Sequence, residues 1–316
     1  MPDKKCNILL TKNQIRIKIQ HEVNNLSRNL TYIVGEELDG EKVIKVLRES
    51  LQMSARMVVK LRHAPDAIKL NGVHARTVDK LKTGDVLEIS FPEEKNEIPA
   101  THFDNLVIIY EDEDIIVINK PAGLAMHPTH NHQGDTLANE VAAYFAQKNK
   151  YPVFRAVGRL DKSTSGVVVC ALNKHSASRL AENISKEYVA LVEGEYSGHG
   201  TINKKIYRPD PMKTLRAVGE EGDEAITHWK EEIATPEMSL VRINLETGRT
   251  HQIRVHFSSM GTPLAGDDMY GSQNTEITRA ALHCENVTLI HPVTGEKMYF
   301  KAEMPEDMQK IVDRIK

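Results

Sequence analysis

A chain of 316 residues with 40% hydrophobic and 27% charged residues has a globular composition and the length of two domains. Its three cysteines, Cys6, Cys170 and Cys284, make no CxxC pair, which argues against a disulfide framework or a cysteine-rich zinc site and fits a reducing, cytoplasmic setting. The net charge of −3 excludes a uniformly basic surface, no apolar run approaches a membrane span, and the opening Met-Pro-Asp-Lys-Lys-Cys has no secretory signal.

The first 30 residues alternate in places, at Ile15, Ile17 and Ile19, as a strand does, without a functional signal. Residues 40–90 then hold ten Lys or Arg against six acids, a local balance of +4, so the basic charge is concentrated here. Within that stretch, Val43, Val46, Leu47 and Leu51 predict one short helix, and Val58, Val59 and Leu61 a second, with Ser54 as its N-cap. Residues 67–70 run into Asn71-Gly72, a two-residue hairpin signal, and Thr83-Gly84-Asp85 turns into a strand over 86–91 ended by Pro92. The Pro-bearing, charged residues 92–101 read as a linker. The division is therefore residues 1–95, a small αβ module with an N-terminal extension, and residues 102–316. Over about residues 35–92 this layout resembles the S4 RNA-binding domain. Arg48, Arg56, Lys60 and Arg62 would then meet phosphates; a solvated helix face accounts for the same charges.

Beyond the linker, strands and helices alternate. Short apolar strands are predicted at 107–110 and 115–118, a helix at 136–147, a buried strand after Gly166, a helix at 176–184 and a strand at 188–192. Two strands are expected to flank Glu246-Thr247-Gly248 between 239 and 257.

Two stretches carry chemistry. In residues 157–166 an arginine and a carboxylate, Arg159 and Asp161, share a loop rich in Ser, Thr and Gly directly before a buried strand. Backbone N–H and hydroxyl donors can orient a carboxylate there, and a structural Asp-Ser turn is the competing reading. In residues 245–257, strand alternation would put Arg249, His251, Ile253, Val255 and Phe257 on one face, with Arg249 reaching a carboxylate in an adjacent loop.

RLDKSTSG (159–166) and TGRTHQIRVHF (247–257) resemble two signatures of the RluA-type RNA pseudouridine synthases. Asn119-Lys120-Pro121-Ala122-Gly123, Lys186-Glu187-Tyr188-Val189-Ala190 and Pro263-Leu264-Ala265-Gly266-Asp267 with Tyr270-Gly271 match three more motifs in the expected order. The resemblance implies an α+β fold with a mixed, mainly antiparallel central sheet, and a partner that is RNA, ribosomal ahead of transfer RNA. It implies no cofactor, no metal and no obligate protein partner. It makes Asp161 the nucleophile, Tyr188 the residue lying against the base and removing its C5 proton, Arg249 the partner of the aspartate, and Arg159 an RNA contact. Lys120 and the Gly123 turn would shape the cleft. Gly158 departs from the histidine that often precedes RLD and resembles the related RsuA-type enzymes.

Three rival readings remain at this level. His127, His130 and His132 are spaced to share a metal in a hydrolase. An RNA-binding assembly factor would keep the fold without turnover. A glycoside hydrolase would need a second acid, for which no motif offers a candidate.

Overall fold

The computed structural model describes residues 17–19, 29–91, 96, 98–101, 106–129 and 132–316. Ile15, His130 and half of the expected linker lie outside them. The chain forms two compact units, Met1–Lys95 and Asn96–Lys316.

The smaller unit is a five-stranded antiparallel sheet with two short helices. Its strands are β1 (Ile17–Ile19), β2 (Asn29–Ile33), β3 (Ile68–Leu70), β4 (Val73–His74) and β5 (Val86–Ser90), in the order β1-β2-β5-β3-β4. Helix α1 (Val43–Lys45) runs on as a π-turn over Val46–Ser50, and α2 (Ala55–His63) starts where the Ser54 hydroxyl accepts the Met57 N–H at 3.2 Å. Asn71 and Gly72 both take positive φ, 52° and 80°, the pairing a tight two-residue hairpin needs. Leu30, Val43, Leu47, Leu61, Leu87 and Ile89 close the core.

The larger unit is built on a ten-stranded sheet. Its strands are β6 (Val107–Glu111), β7 (Ile115–Lys120), β8 (Arg155–Val157), β9 (Ser165–Ala171), β10 (Ile184–Glu193), β11 (His199–Asn203), β14 (Ile226–Ala234), β15 (Met238–Leu245), β16 (Leu282–Ile290) and β17 (Lys297–Lys301). The main path is β11-β14-β15-β10-β16-β9-β7-β6, with β17 on β16 and β8 on β9. All pairings are antiparallel except β16 with β9. A separate ribbon pairs β12 (Ile206–Tyr207) with β13 (Ala217–Val218). Helices α3 (Leu137–Gln147), α4 (Lys174–Glu182), α5 (Gln252–Ser258) and α6 (Glu306–Ile315) complete a mixed α+β unit. β9 is buried at every residue, which is why its sequence is continuously apolar rather than alternating.

One expected strand is a helix. Residues 252–258 form α5, entered through His251 in the left-handed region at φ 58°. The Gln252 side chain builds this entry. Its oxygen accepts the Arg249 N–H and the Thr247 hydroxyl, both at 2.9 Å, and its amide donates to the Ile226 carbonyl and Thr227 hydroxyl. Residues 252–257 are all buried, so no polar face marks a helical period, and the β-branched Ile253 and Val255 mimic a strand.

Candidate active site

Asp161 sits on the loop between β8 and β9, and that loop is held from several sides. Lys120, at the end of β7, is fully buried and donates from Nζ to the carbonyls of Pro121 at 2.8 Å, Leu124 at 2.9 Å and Lys162 at 3.4 Å. The Gly123 N–H also donates to the Lys162 carbonyl at 2.8 Å, and Thr164 N–H to that of Asp161 at 3.1 Å. Arg279 reaches the Ser163 carbonyl at 3.3 Å while holding Asp307 of α6 through Nε and Nη2. With three successive carbonyls pinned, the Asp161 carboxylate has a defined position and remains 25% exposed. Burial pushes the Lys120 ammonium down to about 7 against the opposing pull of Asp161.

The guanidinium nearest Asp161 belongs to Arg254 on α5, with Nη1 3.9 Å from Oδ2. Arg254 is 7% exposed and gives its other edge to Asp267, Nε to Oδ2 at 2.7 Å and Nη2 to Oδ1 at 2.6 Å. It also lies over the Tyr270 ring, 5.0 Å from the centroid. The Tyr270 hydroxyl accepts the Arg216 N–H at 3.0 Å and meets His251 Nδ1 at 2.8 Å. Burial holds the His251 pKa below the usual value.

Tyr188 lies on β10 opposite Cys284 of β16, close enough to Asp161 for the two to interact electrostatically. Burial holds its phenol far above the usual pKa, with the neighbouring Cys284 and Asp161 pushing the same way. The phenol is therefore neutral. Asp161, Tyr188, His251, Arg254 and Tyr270 thus form one cluster on the larger unit.

Residues 114–259 match the family described as RNA pseudouridylate synthase. The chain is 35% identical over 297 residues to the uncharacterized RNA pseudouridine synthase YhcT of Bacillus subtilis, covering 92% of this chain and 98% of that protein. It is 32% identical over 306 residues to ribosomal large subunit pseudouridine synthase D of Xanthomonas campestris pv. campestris, covering 90% and 92%. The chain belongs to the RNA pseudouridine synthases. Among solved structures, human RNA pseudouridylate synthase domain containing 1 superposes with a TM-score of 0.50 at 25% identity, over 67% of this chain and 94% of that one. Human RNA pseudouridylate synthase domain containing 4 shares the fold at a TM-score of 0.53 and 24% identity, over 66% and 92%.

In this synthase the expected pairing of Arg249 with Asp161 is replaced by that of Arg254. Arg249 stays in the turn before α5, where Nη1 is 3.4 Å from Asp223 and Nε donates to the Glu224 carbonyl at 3.0 Å. The error follows from reading α5 as a strand, which put Arg254 on the face away from Arg249. The signal for its true partner was present in the Gly266-Asp267 motif. Arg159, two residues before Asp161, is exposed and has no protein partner among the described residues; its charge helps depress His127. Gly158, at φ 69°, presents its carbonyl to Lys186 Nζ at 2.6 Å, and a Cβ there would lie 3.0 Å from that nitrogen.

The basic residues of the smaller unit divide. Arg56 and Lys60, one helical turn apart, share an exposed face of α2, whereas Arg62 projects elsewhere and Arg48 turns back to donate to the Met53 carbonyl. The spaced histidines do not assemble as ligands among the described residues. His127 packs edge-on against Phe154, with ring centroids 5.1 Å apart, and His132 Nδ1 lies 2.6 Å from Asp135. Asp112, Asp114 and His291 do converge. However, Asp112 is occupied by Tyr110, His291 and the N–H groups of Asp114 and Ile115, and Asp114 by Asn173 and Ser176. That cluster is a hydrogen-bonded clasp between two turns.

Proposed function

We propose that this synthase isomerises uridines of large-subunit ribosomal RNA with Asp161 as nucleophile. The observation that carries the reading is a half-buried carboxylate, on a loop pinned by Lys120 and Arg279, facing one edge of a guanidinium whose other edge is fixed. The Asp161 carboxylate attacks the ribose anomeric carbon as the C1′–N1 bond breaks. The uracil turns, C5 attacks the same carbon, and the carboxylate leaves. One proton leaves C5 and one returns to N1, so the product has the substrate's formula and no redox partner is consumed.

Tyr188 provides the face against which the base turns, and its neutral phenol can hydrogen-bond but cannot by itself strip the C5 proton. Arg254, rather than Arg249, takes the part of the aspartate's partner. Arg159 keeps the target nucleotide out of its helix, and the S4-like smaller unit anchors RNA through Arg56 and Lys60. Likeness to synthases named for the large ribosomal subunit supports the choice of RNA, and that substrate implies a cytoplasmic enzyme.

Pseudouridines are mapped across total RNA from cells lacking the protein and from cells supplied with wild type or Asp161→Asn. We expect sites to vanish from large-subunit rRNA and return only with wild type. Loss confined to transfer RNA would move the substrate. Restoration by Asp161→Asn would remove the nucleophile.

A further inference from the structure

One proton of this reaction still lacks a carrier. Once C5 has joined the sugar, the C5–H bond breaks and its electron pair restores the C5–C6 double bond. The pair of the N1–C6 double bond withdraws to N1, which takes up a proton. Only C6 separates the two atoms, so a single base at that edge of the ring can lift the proton from C5 and return it to N1. Burial keeps the Tyr188 phenol neutral and pushes the Cys284 thiol up to about 11, so neither side chain is that base at neutral pH. Asp161 is bonded to the sugar until C5 attacks.

His251 stands in the same cluster in a fixed pose. Its backbone takes φ 58°, a left-handed conformation that favours glycine, and the Val255 N–H closes the turn on the His251 carbonyl at 2.9 Å. Nδ1 lies 2.8 Å from the Tyr270 hydroxyl, and the two rings meet edge-on at 90°. Nε2 has no partner among the described residues, whereas His256 and His283 have both nitrogens engaged. The ring is half-buried, which favours its neutral form, and Asp161 is the strongest of the charges acting on it. Asp161 and Asp267 favour its protonation, and Arg254 and Arg216 oppose it.

Granting the isomerisation proposed above, we infer that His251 is a further catalytic residue: Nε2 lifts the C5 proton and delivers it to N1 of the turned base. Nδ1 keeps its own proton and donates it to the Tyr270 oxygen, which also accepts the Arg216 N–H. The charges act in the right order. While Asp161 is esterified to the sugar its negative charge is absent, and attack by C5 returns that charge to the cluster. The imidazole therefore becomes a stronger base in the step that leaves C5 needing one. Delivery to N1 restores the neutral ring, so the enzyme gains and loses no proton over the cycle.

The test measures single-turnover rates of the full chain on unmodified transcripts of large-subunit rRNA and of transfer RNAs, made with uridine or with 5-deuteriouridine. His251→Gly suits the left-handed backbone and leaves a ring-sized space. Its turnover should fall by about 100-fold or more, and added imidazole should restore about 10-fold or more of that loss. Its isotope effect should exceed that of wild type, because C5–H cleavage becomes the slow step. His251→Asn tolerates the left-handed region and can still bond the Tyr270 hydroxyl. It should show the same slowing and the same larger isotope effect, which loss of that bond alone would not produce. Urea midpoints check that each variant folds, and if the glycine variant does not, the asparagine variant decides. The inference fails if both variants turn over within a few-fold of wild type. It fails equally if they are slow with neither a larger isotope effect nor recovery with imidazole. Wild type acting only on the transfer RNA transcripts would overturn the choice of RNA, and the isotope effect, which reports on C5–H cleavage alone, would be read there.

Discussion

Arg254 faces two carboxylates and serves them unequally. Asp267, fully buried, takes two charge-assisted hydrogen bonds, and Asp161 receives only a neighbouring charge at 3.9 Å. That asymmetry suits a nucleophile, because a carboxylate bonded through both oxygens would have to break those bonds to attack. It also separates two arginines that the motif sets five residues apart. Arg254→Gln leaves Asp267 buried without its charge partner, so stability should fall by roughly 3–5 kcal/mol and pseudouridine formation should be lost. Arg249→Gln removes a surface pair with Asp223, worth about 0–1 kcal/mol, and turnover should stay within a few-fold of wild type. Urea midpoints and single-turnover rates on the same RNA check both expectations. A large rate loss in a stable Arg249→Gln protein would return that arginine to the catalytic centre.

At the scale of elements, much of this architecture is legible before any coordinates. Residues 107–110 and 115–118, the α3 segment and the buried strand after Gly166 carry runs and caps that tertiary packing does not overrule. The helix of 252–258 is illegible because it is buried all round, and a segment without a wet face has no amphipathic period to read. Asp161 and Tyr188 stand out through their motifs, whereas Arg254 acquires its position only from the helix. Asp267, Tyr270 and His251 lie in recognisable motifs that do not say what each touches. Gly166 shows the same limit. The sequence marks it as the start of a strand, but only the parallel pairing of β9 with β16 gives the reason: a Cβ there would sit 2.1 Å from the Cys284 carbonyl oxygen, at φ 112°. Gly166→Ala should therefore cost at least about 3 kcal/mol, combining overpacking with backbone strain. Gly123→Ala, at φ 86° with open space around it, should cost about 1–2 kcal/mol. Equal urea midpoints for the two variants would mean that β9 and β16 do not approach this closely.

Across the larger unit, burial of imidazoles makes the fold a pH-dependent object. His127, His251, His256 and His283 are all held below the usual histidine pKa, in each case chiefly by burial. Two of them show their protonation in their partners. His256 Nε2 meets the Lys204 carbonyl at 2.9 Å and His283 Nε2 the Ala302 carbonyl at 3.0 Å, so each donates there and accepts a hydroxyl, from Thr227 or Ser165, at Nδ1. A second proton would have to turn that hydroxyl round to accept and would place a charge in a buried site. As pH falls through about 6.5, the unfolded chain takes up protons that the folded chain refuses. Stability must then decrease with acidification, by up to about 1.4 kcal/mol per pH unit for each such histidine. Lys120 extends the slope upward, since its folded value of about 7 lies below its usual 10.5. Glu140, raised by burial, opposes the trend as a single group at lower pH. Urea midpoints should rise from pH 5.5 to 7.5. In His256→Gln, whose amide can donate to Lys204 and accept from Thr227, the rise should be shallower by about one proton's worth. A midpoint that stays level or climbs on acidification would mean these rings carry their charge inside the folded unit, with acceptors at both nitrogens.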